Sequence, residues 1–242
     1  MHHGKPSAGT ARGLVAAVCP AYNEAATVAA VVTDALAMLD LVIVVDDGSR
    51  DTTAEVAAAA GAIVVRHPFN LGVGAALQTG FRCALRCGAS TVVQIDADGQ
   101  HPVEQVDRLI AALGSDVAMV IGSRFLDGSE AYANGPRGWA MRVLARRASA
   151  LAGQPLSDVS SGFRAFARPL LDEFARDFPD SYLGDTFGAA VLARRHGYGV
   201  CEVPVEMRPR QGGVPSAGPV RSALLVARAL ASVSTAETRP KL

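Results

Sequence analysis

Thr91–Pro102, TVVQIDADGQHP, is the stretch on which the reading of this chain turns. It opens with a short, mostly β-branched apolar run, which suits a strand buried on both faces. It closes on a proline placed well for a first helical turn. Between them, Asp96 and Asp98 fall where the chain would turn over a strand tip, so both carboxylates can face one point. Hard oxygen ligands in that arrangement suit Mg²⁺ or Mn²⁺, an ion that keeps waters and takes its other ligands from substrate phosphates. Gln100 and His101 are close enough in sequence to join them. The competing reading is an aspartate turn that only caps the helix after Pro102.

Outward from this stretch the same rhythm repeats. Leu14–Cys19, Leu41–Val45, Ala62–Val65 and Val117–Ile121 read as further buried strands, and Glu24–Met38, Asp51–Ala60, Val73–Arg86 and Pro102–Leu113 as helices. Strands alternating with helices of this length imply βαβ units with right-handed crossovers. The predicted fold class is α/β, a Rossmann-like, mainly parallel sheet flanked by helices in a single domain. After Gly122 the pattern loosens. Ser123–Arg137 reads as a polar loop, Trp139–Leu151 as a basic amphipathic helix, Val159–Phe166 as strand-like, Thr186–His196 as a helix and Gly199–Val205 as a last strand. The expected organisation is a disordered tail over 1–13, one domain over 14–213, and a loop, short amphipathic helix and tail over 214–242.

Composition removes several function classes. The 242 residues carry 23 basic and 23 acidic side chains, a formal net charge of zero, which argues against a nucleic-acid binder that needs surplus positive charge. Aromatics at 5% offer no stacking platform for single strands. Cys19, Cys83, Cys87 and Cys201 lack histidine partners at zinc-site spacing and read as small buried thiols of a reducing cytosol. Gly72-Val73-Gly74 resembles the start of a dinucleotide fingerprint, but Leu77 stands at its sixth position, and no phosphate-loop lysine motif is present. Gly72 and Gly74 are instead expected to relieve backbone crowding beside a cleft.

Ligands of open parallel sheets bind beyond the carboxyl ends of the strands. Pro20–Glu24, Asp46–Ser49 and Asp96–His101 all follow predicted strands. Each alone is compatible with an ordinary turn and helix cap; together they predict a carboxylate-lined cleft.

PAYNEAATV, VVDDGSRDTT, NLGVGAA, QIDADGQHP, GSRF, SDVSSGFRAF and GYGVCEVPVEMRPRQGG occur in the order and spacing of glycosyltransferase family 2, and the chain resembles its polyprenol-phosphate (dolichol-phosphate) mannosyl- and glucosyltransferase branch from about Leu14 to Gly213. The resemblance implies a GT-A fold, a nucleotide-sugar donor, a divalent metal and inversion at the anomeric carbon. By motif, Pro20, Ala21, Tyr22 and Glu24 would hold the nucleoside, and Val45 and Asp47 would flank the base. Asp96, Ala97 and Asp98 would meet ribose, diphosphate and metal, with Gln100 completing the ion's shell. Arg124 and Arg210 would pair with donor phosphate. The residue six positions after Arg210 is Ser216, where relatives often carry a second basic group. Ser161 and Arg164, with Arg137 and Arg142 upstream, are the candidates for an acceptor phosphate. Asp185 is either a base for a hydroxyl acceptor or a helix cap.

The leading expectation is a metal-dependent inverting hexosyltransferase acting on a polyprenyl phosphate. The alternatives are the same donor chemistry on a soluble hydroxyl acceptor, and a non-catalytic nucleotide-sugar-binding subunit. No apolar run is long enough to span a bilayer, so a cytoplasmic protein is expected, with peripheral contact at the inner face of the membrane through residues 219–233 as an option.

Overall fold

A computed structural model describes residues 13–126, 136–179 and 184–208. Seven strands form one sheet: β1 Val15–Ala21, β2 Leu41–Asp46, β3 Ile63–Arg66, β4 Thr91–Gln94, β5 Val117–Ser123, β6 Arg164–Ala167 and β7 Gly199–Pro204. Their spatial order is β3-β2-β1-β4-β6-β5-β7. The pairs β1–β2, β1–β4, β2–β3 and β5–β7 are parallel, whereas β6 runs antiparallel to both β4 and β5. The sheet is therefore mainly parallel, as the alternating apolar runs predict, with one reversed strand.

That reversal positions the site. The carboxyl ends of β1, β2, β4 and β5 share one edge, and β6 brings its amino end to the same edge. Residues that precede β6 thus meet residues that follow β4 and β5.

The helices are α1 Val28–Met38, α2 Thr53–Ala59, α3 Val73–Arg86, α4 Val106–Ala111, α5 Pro136–Ala152, α6 Arg168–Arg176 and α7 Ala189–Arg195. On one face of the sheet, a core of Val18, Ile43, Leu77, Met119 and Ile121 packs with a phenylalanine cluster from α3, β6 and α6. Phe81 meets Phe166 edge-on at 5.3 Å between centroids, and Phe174 meets Phe178 at 5.0 Å, separations at which edge-to-face pairs add to simple area burial. The other face buries Val28, Val31, Val32, Val44, Val106 and Leu109 from α1, β2 and α4.

Several predicted elements shift. The strand expected from Val159 begins only at Arg164, because the residues before it are drawn into a hydrogen-bonded turn described below. The helix after Pro102 starts as a 3₁₀ turn, Val103–Gln105. Thr186–His196 divides into a π-helical turn, Gly184–Gly188, and α7. Gly72 is not crowded: an added Cβ would meet nothing within 4 Å, and the residue is needed for its φ of 95°, a left-handed value that glycine adopts without strain. Of the thiols expected to be buried, Cys19 is, whereas Cys87 is exposed at the end of α3. Among the described residues no helix is long and apolar enough to cross a membrane.

Candidate active site

Two turns on the donor-like half are stitched together by side chains. Asn23, at φ 57°, donates its N–H to Ser49 Oγ (2.9 Å), and its Oδ1 accepts from the N–H of Arg50 (2.9 Å). The Glu24 N–H donates to Thr53 Oγ1 at 2.8 Å, and Thr27 Oγ1 donates to the Glu24 carboxylate at 3.1 Å. Tyr22 is left exposed on the tip of this turn.

Asp47 is buried, and its carboxylate is fully occupied in shaping the next loop. Oδ1 takes the Leu71 N–H (2.9 Å) and the His67 ring Nδ1 (2.8 Å), and Oδ2 takes the Gly72 N–H (2.8 Å). Thr79 Oγ1 sits on the far nitrogen of His67 at 3.0 Å. Asp47 therefore clamps residues 67–72 over the β2 end. Val45 is fully buried in the core on the α3 side, so its side chain does not flank an open pocket.

Beyond β4, Asp98 is buried and its Oδ1 accepts the Gln100 N–H at 3.0 Å, while the Asp96 side chain remains 40% exposed. His101 is a bracket for Asp96, not a further ligand. Its Nδ1 accepts the Asp96 N–H at 2.9 Å, which spends that lone pair, and its Nε2 lies 3.5 Å from Asp96 Oδ2. The ring also lies against Phe163, with centroids 5.1 Å apart. Ala97 is buried between the two aspartates. Gly162, just before β6, closes against the same carboxylate: an added Cβ would fall 2.9 Å from Asp96 Oδ2 and 3.2 Å from Oδ1.

Burial, then the charges of Asp96, Asp98 and Glu24, pushes the Cys19 thiol far above its ordinary range. Burial also lowers the His101 pKa. Asp96 and Asp98 oppose this, and the positive charges of Arg124 and Arg164 reinforce it. Acidic and basic walls thus act on one imidazole.

The basic wall is built by a network that sequence inspection did not single out. Arg124 forms a two-pronged pair with Asp158, Nε to Oδ2 at 2.7 Å and Nη2 to Oδ1 at 2.8 Å, and adds Ser160 Oγ at 3.0 Å. The Asp158 carboxylate is completely buried. Its turn is fixed by Glu202 of β7, which accepts the N–H groups of Ser157 (2.8 Å) and Asp158 (2.8 Å) and the Ser157 hydroxyl (2.6 Å). Arg164 is fully buried at the start of β6, paired in register with Gln94 and Ile121. Ser161 is buried too, and its hydroxyl accepts the Phe163 N–H at 3.3 Å. Ser161 and Arg164 thus lie beneath the floor of the site, not on its surface. Asp158 stands inside the quoted SDVSSGFRAF segment, and its position two residues from a serine pair was the available signal. Glu202 gives itself away only as an acidic residue interrupting a strand.

Pro20 and Ala21 end β1 beside these groups, with Ala21 buried. Arg137 lies on α5 and Asp185 in the π-helical turn, but their side chains are outside the described residues, as are Arg210, Ser216 and residues 219–233.

The donor set bears on which ion fits. Among the described residues no group of three or more His, Cys, Asp or Glu side chains is placed to hold a metal. Asp96 and Asp98 with Gln100 nearby can supply two carboxylates and an amide, which leaves the remaining ligands to water and a diphosphate. That matches Mg²⁺ or Mn²⁺ and does not match a structural zinc site, which needs four protein ligands.

A sequence model described as Glycosyl transferase family 2 matches residues 16–174. The polyprenol monophosphomannose synthase of Mycolicibacterium smegmatis is 35% identical over 185 residues, 72% of this chain and 68% of that protein. The undecaprenyl-phosphate mannosyltransferase of Micrococcus luteus is 31% identical over 217 residues, 82% of this chain and 85% of that one. Among solved structures, glucosyl-3-phosphoglycerate synthase from Mycobacterium tuberculosis, in complex with phosphoglyceric acid, aligns with a TM-score of 0.69 at 25% identity, covering 95% of this chain and 81% of that one. The sheet described above is accordingly the GT-A fold.

Proposed function

The chain belongs to glycosyltransferase family 2 and is a glycosyltransferase, and from that premise we propose that it moves a hexose from a nucleotide-sugar donor, of the GDP-mannose or UDP-glucose type, to the phosphate of a polyprenyl phosphate. The observation that carries this reading is that Asp96, beyond β4, lies against Gly162 and His101 on the same sheet edge at which Arg124, paired with Asp158, follows β5. A site with facing acidic and basic walls suits a ligand that is part sugar and part polyphosphate. The names of the Mycolicibacterium and Micrococcus relatives support the lipid phosphate as acceptor.

In this reading Pro20, Ala21, Tyr22 and Glu24 receive the nucleoside, and Asp47 acts by holding the 67–72 loop that closes over it. Asp96 and Asp98, with Gln100, would hold Mg²⁺ or Mn²⁺, whose contribution is to neutralise charge on the leaving diphosphate. Arg124, oriented by Asp158, and Arg210 add guanidinium donors suited to phosphate oxygens. Arg137 meets the acceptor phosphate, and the buried charge of Arg164 favours its approach from below. An acceptor phosphate oxygen is already ionised near neutral pH, so no strong base is required. That oxygen bonds to C1 of the sugar as the C1–oxygen bond to the diphosphate breaks on the opposite face, with inversion. The chain's residues hold two anions in line, which is where the rate gain arises.

A soluble hydroxyl acceptor is the second reading, favoured by the likeness to glucosyl-3-phosphoglycerate synthase; there Asp185 would take the proton. Thermal-shift titration with GDP- and UDP-sugars and Mn²⁺ tests donor binding. Product analysis with decaprenyl phosphate tests the acceptor. Donor hydrolysis without any lipid-linked sugar, across both donor classes, would overturn the first reading.

A further inference from the structure

The chain that leaves β7 is tied to the turn after β4 through Arg208, a residue with no part in the proposed chemistry. Arg208 donates its N–H to the Gln100 carbonyl at 2.9 Å. Its Nη2 donates to Glu104 Oε2 at 2.6 Å, and its Nη1 lies 3.6 Å from Asp34 Oδ2 on α1. Backbone and side chain of Arg208 thus brace residues 100–104, the link between the acidic turn and the helix beyond it. A longer bond, from the Glu206 N–H to Gln105 Oε1 at 3.4 Å, follows the same line. Neither the 3₁₀ turn Val103–Gln105 nor α4 has a side-chain cap, so contacts from the end of β7 supply what a cap would. On its other side, the Gln100 N–H is held by Asp98 Oδ1 at 3.0 Å. An unbroken path therefore runs from Glu104 and Asp34, through Arg208 and the peptide groups of Gln100, to the Asp98 carboxylate.

We infer that Arg208 is a positioning residue for the divalent ion: it sets Gln100, and through it Asp98, at the spacing the ion requires. The inference rests on the reading of Asp96, Asp98 and Gln100 as the protein ligands of Mg²⁺ or Mn²⁺. Groups that orient ligands from outside matter for such ions, because near-octahedral coordination tolerates little displacement. Placement and charge predict opposite signs here. The Arg208 guanidinium repels a cation, so its removal tightens ion binding if charge alone acts and weakens it if placement does.

Full-length protein is titrated with Mn²⁺ in the presence of UDP and, separately, of GDP, with free ion read by electron paramagnetic resonance. R208Q and E104A should each raise the Mn²⁺ dissociation constant about 3–10-fold, less than the ~10–100-fold typical of losing an outer partner outright, since the backbone N–H at position 208 is retained. R208Q/E104A, which restores the net charge, should keep the loss, because the two positions act through one contact. In metal-free protein, amide hydrogen exchange across residues 96–105 should speed up in R208Q. The melting temperature should stay near that of the wild type, because an exposed ion pair adds little to global stability. Tighter Mn²⁺ binding by R208Q, or wild-type affinity in the double variant, would reduce Arg208 to a charge effect and overturn the inference. So would unaltered affinity in both single variants, unaltered exchange in R208Q, or a loss of affinity that tracks a fall in melting temperature. Wild-type protein that binds no Mn²⁺ with either nucleotide would overturn the metal reading as well, whereas the other adverse results leave that reading standing.

Discussion

Replacing Asp158 by asparagine keeps the shape of the buried turn and removes its charge. The Asp158 side chain is fully buried and holds Arg124 through contacts of 2.7 and 2.8 Å, with the Arg124 N–H at 3.2 Å and Ser160 Oγ at 3.1 Å as further donors. An amide in this place turns one acceptor into a donor that faces guanidinium N–H groups. Removing one partner of a buried pair costs about 3–5 kcal/mol when the other charge stays dry. The Arg124 side chain is 31% exposed, so water recovers part of that cost, and about 2–3 kcal/mol is the expected loss. For a chain of this size each kcal/mol moves the melting temperature by roughly 2–4 °C, which gives a fall of about 4–12 °C. Urea unfolding followed by far-ultraviolet circular dichroism measures it directly. A cycle with Arg124→Ala should return a coupling of about 2 kcal/mol between the two positions, since contacting partners are not additive. A loss below ~1 kcal/mol, or additive single and double variants, would refute the view that this ion pair holds the basic wall.

Asp98→Ala should lower sugar transfer to a lipid phosphate by at least ~10³-fold with a near-native melting temperature, because it removes a carboxylate that would hold the ion neutralising the leaving diphosphate; a folded variant with full turnover would contradict its role. Asp47→Ala should cost roughly 3 kcal/mol, from charge-assisted bonds to Leu71, Gly72 and His67, and limited proteolysis should then cut between residues 67 and 72. Since burial lowers the His101 pKa below its ordinary 6.5, its share of stability is complete above pH 6.5 and is lost as pH falls through the lower folded-state value. His101→Asn, which keeps an acceptor near the Nδ1 position, should flatten the dependence of the urea midpoint on pH below 6.5.

The apolar strands after Leu14, Leu41 and Thr91 were legible because strands buried on both faces leave uninterrupted β-branched runs. The α6 helix was not anticipated, although Leu170, Leu171 and Phe174 mark its buried stripe; Pro169 near its start reads equally well as a turn. The place of β6 could not be read at all, since direction within a sheet is set by long-range pairing, not by local pattern. Among site residues, the acidic turns were visible because aspartates after apolar runs are conspicuous. What each carboxylate does was hidden. Asp47 and Asp158 spend their oxygens on backbone and side-chain donors that are 24 and 34 residues away, and such partners leave no spacing signature. Arg164 read as a candidate for the acceptor phosphate for the same reason: only the register with Gln94 and Ile121 reveals that it lies inside the sheet.

The single reversed strand has a consequence for how such an enzyme can change. Everything that follows β1, β2 and β4 is anchored on one side of the β4–β6 seam, and everything that follows β5 or precedes β6 on the other. Lengthening or rewriting residues 153–163 would therefore remodel one wall while the opposite wall kept its hydrogen bonds. Gly162, whose missing side chain lets the walls touch at Asp96, and Phe163, whose ring meets His101, link the two, so a designer who leaves those positions untouched can vary one wall and keep the other.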